Sequence, residues 1–202
     1  MGVPRGVAIP EIRQQLFAAA ERVIIRDGPS KLGGRAVTGE AGVATGLLYA
    51  HFSDLDGFLT SFAVDRAFVI SAEVATLPER AGRGDIVATV CEAVLATPLV
   101  TVMAVTRLLV ARPELNGRVR EVLGARTGGL EAIESAAAAY LAAEQRLGRV
   151  AATAAPEPLS HALVGSVHYT VLRADSESLA RERIRQVVAA VLAGFVTTAA
   201  RR

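Results

Sequence analysis

Residues able to do acid–base, nucleophilic or metal chemistry are few and scattered in this sequence. The three histidines stand at 51, 161 and 168, and no cysteine, histidine or carboxylate spacing around them suits a metal ion. Ser160 and His161 are adjacent, which does not build a nucleophile, a base and an orienting acid. No glycine-rich phosphate loop is present. The single cysteine, Cys91, cannot form an internal disulfide and reads as packing on an apolar helix. No enzyme, no cofactor and no metal is expected. What remains is a short run, Thr45, Gly46, Leu47, Tyr49 and His51, with Lys31 and Arg35 shortly before it. Hydroxyl, phenol, imidazole and cationic groups gathered this closely suit phosphate oxygens and base edges.

The elements that would position those groups lie in the stretch 37–52. Val37 and Ala41 are four apart and share a face of a short helix. Gly42 follows where a helix end wants a left-handed residue, and Val43 is the apolar plug of the turn. A second helix is expected from about Ala44 to His51, with Leu48 and Phe52 inward and Thr45, Gly46 and Tyr49 outward. Two short helices set at an angle by a glycine turn form a helix-turn-helix, whose second helix is sized for a major groove.

Ala19-Ala20, Gly28, Val37, Ala41-Gly42-Val43, Gly46, Leu48-Tyr49, His51-Phe52 and Leu59 together resemble the DNA-binding domain of TetR-type transcriptional regulators. The resemblance spans Ile12 to Leu59, and beyond it only length and a helical pattern agree. The sequence departs from the family where Ala44 replaces the usual serine cap and where Gly33 and Leu47 replace common threonines. Leu55 likewise stands where a lysine is usual. The resemblance implies an N-terminal head that binds double-stranded operator DNA and a C-terminal helical domain that binds a small-molecule effector and dimerises. It also implies transcription regulation, with repression the commoner habit.

Composition agrees with a helical protein. Of 202 residues, 51% are hydrophobic and few are aromatic, which favours packed helices over sheets. Net charge is only +2, so affinity for a polyanion must come from local placement of charge. Lys31 is the only lysine. No basic region followed by a long apolar run marks a signal peptide, and the apolar stretch 86–110 is interrupted by Glu92, Pro98 and Arg107. A cytoplasmic protein with no membrane partner is expected.

The expected architecture is all-α, about nine helices. Residues 1–8 form a flexible arm, 9–54 the helix-turn-helix domain, and 55–202 the effector-binding and dimerisation domain. Helix 1 carries the stripe Ile12, Leu16, Ala20, Val23 and Ile24. A fourth helix runs to about Leu77, its apolar face interrupted only by Arg66, and the family resemblance makes it the lever between head and body. Helices over 85–97 and 99–111 follow, then a long helical stretch to about Leu147, weakened by Gly124 and Gly128-Gly129. Two helices close the chain, about Leu159–Arg173 and Leu179–Ala200.

The last helix carries Ile184, Val187, Val188, Val191, Leu192, Phe195 and Val196 at unbroken helical spacing. Such a stripe packs either on its own core or on a partner. The resemblance favours a homodimer four-helix bundle completed by Leu163, Val164, Val167 and Val171. A two-fold dimer also matches a palindromic operator. For the effector, the same resemblance implies a pocket between the middle helices, with apolar walls from Val90, Leu95, Met103, Leu108, Leu109 and Leu163. Its candidate polar handles are Glu92, Arg107, Tyr140, His161, His168 and Tyr169, with His168 and Tyr169 foremost. A hydrophobic effector is expected. The alternative is a helical small-molecule-binding dimer whose degenerate head no longer grips DNA specifically.

Overall fold

The computed structural model describes residues 9–124 and 128–197. The expected arm at 1–8 lies outside the described residues, as does the end of the expected last helix. Among the described residues the chain is all-helical, with ten α-helices, two short 3-10 turns and one isolated β-bridge. The helices are α1 (Ile9–Asp27), α2 (Gly34–Ala41), α3 (Thr45–His51), α4 (Leu55–Val74) and α5 (Ile86–Ala96). They continue as α6 (Leu99–Ala111), α7 (Leu115–Leu123), α8 (Leu130–Arg146), α9 (Pro156–Arg173) and α10 (Glu177–Leu192).

Three boundaries differ from the sequence expectation. The stretch expected to run on to about Leu147 is two helices, because Gly124 (φ 62) and Gly129 (φ 60) take left-handed backbone conformations that end α7 and cap α8. Helix α4 stops at Val74, and a 3-10 turn over Leu77–Arg80 follows. The third change is at the chain's end. Helix α10 stops at Leu192, and the following residues turn to run beside the α8–α9 loop. There the Ala151 N–H donates to the Phe195 carbonyl (2.8 Å) and the Thr197 N–H to that of Arg149 (3.0 Å). Buried loop backbone needs such partners. Phe195 and Val196 therefore leave the helical stripe.

The helices gather round two main cores, and a small third cluster of Ala63, Val64, Val119 and Leu123 joins α4 to α7. The head core lies between α1 to α4 and is closed by rings: Phe17 sits 5.9, 5.7 and 5.9 Å from Phe52, Phe58 and Phe62, and Phe52 meets Phe58 edge-on at 5.0 Å. Each such ring, once buried, contributes roughly 1.5–3 kcal/mol of burial energy. Helix α6 reaches into this core with Ala104, Val105 and Leu108. Arg66, the apparent interruption of the α4 face, is buried and useful. Its guanidinium donates to Glu21 (3.0 Å) and Gln14 (2.9 Å) of α1 and to Asp65 (2.8 Å), and lies over the Phe17 and Phe62 rings. One charge thus ties α4 to α1 through its Nε and Nη1 donors.

The body core is aliphatic and draws on α4, α5, α6, α8, α9 and α10. Here the residues expected at the dimer interface are placed differently, though the expectation of a homodimer is itself untouched. Val164, Val167, Val171, Ile184, Val188 and Leu192 are all buried within the single chain, so this stripe packs on its own core and not on a second copy. Val191 and Phe195 are half-buried at its margin. Side-chain caps start α4, α5 and α10: Asp54 accepts from the Gly57 N–H, Asp85 from Ala88 and Ser176 from Leu179. Among the described residues no single helix is long and apolar enough to cross a membrane, and the apolar pair α5 and α6 is bent by 69°.

Candidate nucleic-acid interface and ligand cavity

The turn between α2 and α3 forms as the spacing predicts. Gly42 adopts φ 70, ψ 30, and its N–H and that of Val43 close on the carbonyls of Gly39 and Thr38. Val37 and Leu48 are fully buried, which fixes the two helices against α1. Helix α3 then presents Thr45, Gly46, Tyr49 and Ala50 to solvent, with Tyr49 51% exposed. His51 is half-buried at its C-terminal end. Lys31, at the end of the 3-10 turn Pro29–Lys31, and Arg35, in the first turn of α2, are both exposed.

Two candidates stand differently from expectation. Leu47 is half-buried and leans on the head core, so it offers a backbone more than a side chain. The Thr45 hydroxyl lies 3.2 Å from that of Thr38, which itself donates to the Gly34 carbonyl (2.8 Å). No side chain caps α3 at Ala44. Sequence reasoning passed over Thr38 and Gly34, because their partners lie on the neighbouring helix. It also passed over Arg13, whose guanidinium lies 4.5 Å from the Phe52 ring centre. The α1–α2 corner is clamped by Glu40, which accepts from Arg22 and Arg26 (both 2.7 Å). These bonds, that to Arg22 foremost, hold the Glu40 carboxyl below its ordinary range.

A cavity of about 470 Å³ opens between α4, α6, α7, α8 and α9. Its walls are apolar, including Ala67, Ile70, Val102, Leu109, Val119 and Leu123. Thr106, Asn116, Arg120, Glu131 and His168 are the polar residues at its lining. Of the expected handles, only His168 lines it, and of the expected walls only Leu109. The others are occupied elsewhere. Met103 and Tyr140 are buried in the body core. Arg107 donates to the Ala174 carbonyl (2.6 Å), and Tyr169 turns outward, 65% exposed. Glu92 pairs with Arg80, and His161 with Glu134, both at the surface. Burial, with the neighbouring Glu144 carboxylate second, pushes the Tyr140 hydroxyl up to about 12. Burial likewise raises the Cys91 thiol, as suits a packing residue.

The head with its glycine turn is the part of the chain that known families share: residues 16–60 match the family described as bacterial regulatory proteins, tetR family. The head is that of the TetR family, and the whole chain has a TetR-like fold. Solved structures extend the likeness of this TetR fold over nearly the whole length. Reduced NemR from E. coli superposes with a TM-score of 0.70 at 16% identity, covering 93% of this chain and 99% of that one. SmeT from Stenotrophomonas maltophilia, the repressor of a multidrug efflux pump, gives 0.66 at 15% identity over 93% and 91% of the two chains. The fatty acid degradation regulator FadR from Bacillus halodurans gives 0.65 at 15% identity over 93% and 97%. No curated protein matches the sequence. The family match of the head supports a DNA-binding transcriptional regulator.

Proposed function

We propose that the chain is a ligand-responsive repressor, which holds double-stranded operator DNA with its head until a small hydrophobic effector fills the cavity. The observation that carries this reading is that the same two helices build both regions. Helix α4 gives Phe58, Leu59 and Phe62 to the head core and Ala63, Ala67 and Ile70 to the cavity wall. Helix α6 gives Ala104 and Leu108 to the head core, Val102 and Thr106 to the wall, and Val105 to both. A molecule that widens the cavity therefore acts on helices that also seat the head. The lever expected in α4 alone is a pair. For release, the effector must bind the freed arrangement better, and DNA must then weaken effector binding by the same factor.

Lys31, Arg35, Tyr49 and His51, with the exposed backbone at Gly46, are the proposed DNA contacts, and His168 is the proposed polar handle for the effector. The apolar lining favours an apolar effector with one or two polar groups. The likeness to SmeT supports repression as the sign of regulation. A second copy of the chain is the proposed protein partner. The face free for it carries the small exposed residues Ala162 and Gly165 of α9 with Ala189, Ala190, Ala193 and Gly194 at the end of α10.

The test is binding of the purified protein to DNA from its own promoter region, titrated against salt and then against apolar molecules. A tight, selective complex that weakens steeply with salt and is released by an apolar compound supports the reading. Weak binding, equal on any duplex, favours a second reading: a small-molecule-binding helical dimer with a decayed head. The uncapped start of α3 and the engaged Thr45 hydroxyl are the observations on its side.

A further inference from the structure

Gly34 opens α2, is buried, and lies under the Tyr49 phenol of the next helix. A Cβ built on Gly34 would come 2.8 Å from the Tyr49 hydroxyl oxygen, 3.5 Å from Cζ and 3.8 Å from Cε2. Only the hydroxyl is too close; the ring carbons would be in ordinary contact. Gly34 has no left-handed backbone to demand glycine, and the first turn of a helix tolerates alanine well. What stands in the place of a side chain is the phenol.

The surroundings point the same way. The carbonyl of Gly34 accepts from the Thr38 hydroxyl, which sits 3.2 Å from the Thr45 hydroxyl on the first turn of α3. Two threonines therefore hold the start of α3 against α2, and one turn further along α3 the phenol rests on the bare Cα of Gly34. The ring is half in solvent, free to swing outward if anything occupied that space. Its hydroxyl stays beside the first turn of α2, near the exposed Arg35, because nothing is there.

Resting on the DNA-binding reading above, we infer that Gly34 is a positioning residue for that interface. Its missing side chain sets where the Tyr49 hydroxyl stands, and so whether the phenol can donate to a DNA phosphate while Arg35 contacts the backbone beside it. An alanine at 34 displaces the hydroxyl without unfolding the head. The donor is neutral, so its loss lowers affinity without changing the number of counterions released.

The test is a cycle of G34A, Y49F and the double variant, read by DNA affinity over a salt series and by NMR of protein with isotope-labelled tyrosine rings. With three tyrosines in the chain, Y49F assigns the Tyr49 signals directly. Expected for G34A are displaced Tyr49 ring signals, with those of Tyr140 and Tyr169 unmoved. Affinity should fall on the order of tenfold, the loss of one hydrogen bond to a charged group, at an unchanged salt slope. Adding Y49F to G34A should cost nothing more, since the phenylalanine ring fits over alanine.

Unmoved Tyr49 signals, full affinity in G34A, or losses that simply add in the double variant would overturn the inference. A reduced salt slope in G34A would also overturn it, by showing a general failure of the head. Absence of DNA binding by the unaltered protein would sink the repressor reading instead. The ring signals would still decide the Gly34–Tyr49 contact.

Discussion

Head and body of this chain are both helical, yet they are packed with different materials. Four of the six phenylalanines, Phe17, Phe52, Phe58 and Phe62, meet in the head core. The body is filled by alanine, valine, leucine and isoleucine, with Tyr140 its one fully buried ring. Interlocked rings have few ways to fit, so they hold α1, α4 and the end of α3 at one angle. Aliphatic chains can be repacked with smaller penalties, and the body is where the cavity lies. A ring-packed head is joined to an aliphatic body with a cavity, and α4 and α6 run through both.

The largest effect expected from breaking this contrast is in the head. Phe17→Ala, which empties the centre of the ring cluster, should cost about 3–5 kcal/mol, whereas Ile184→Val in the body should cost about 0.5–1.5 kcal/mol. Urea denaturation of both variants measures this. If α4 and α6 make the regions one cooperative unit, each variant shifts a single transition. A separate early transition in Phe17→Ala would mean that the head melts alone.

The second prediction concerns the chamber. His168→Ala should leave the melting temperature nearly unchanged, because His168 is only half-buried and lines the cavity. It should weaken an apolar effector with a polar group on the order of tenfold, a single hydrogen bond's worth. Calorimetric titration checks it, and equal affinity would remove His168 from the site.

Smaller effects sharpen the picture of the head. Ala44 already has the extended backbone of a cap, φ −66 and ψ 141, but no oxygen to offer. Ala44→Ser should therefore stabilise by about 1 kcal/mol, seen as a raised urea midpoint. No gain would mean that α3 is satisfied by other means. The smallest effect is the acid response of the α1–α2 clamp. The folded carboxyl of Glu40 titrates below its unfolded value, so its contribution is fully present above the ordinary carboxylate range and is lost as pH falls through the depressed value. Glu40→Gln should flatten the acid side of the melting temperature against pH. An unchanged curve would show the exposed pairs with Arg22 and Arg26 to be energetically idle.

Much of the head was legible in the sequence because its signals are short-range. The turn needs Gly42 within one residue of α2, and the inward positions Val37, Ala41, Leu48 and Phe52 follow helical spacing. Gly34 was not legible, because the phenol that fills the place of a side chain there comes fifteen residues later from another helix. The cavity was less legible still. Its lining comes from five helices, and α6 is buried on nearly every side from Leu99 to Leu108, so periodicity does not tell wall from core. Met103 and Arg107 accordingly face elsewhere, while Thr106 and Leu109 line the space. In α10 the stripe announced a buried face but not its cover. That cover is the chain itself.

The short pairing of residues 195–197 with 148–151 also bears on how the protein comes into being. Chains are made from the N-terminus, and domains generally fold as units in that order. The head can close soon after α4 and α6 have emerged. The loop after α8 must instead wait, its Ala151 N–H and Arg149 carbonyl unpartnered, until Phe195 and Thr197 have been added. The head is thus ready well before the body is clasped. A nascent chain halted between α9 and that clasp would hold a finished head on an open body.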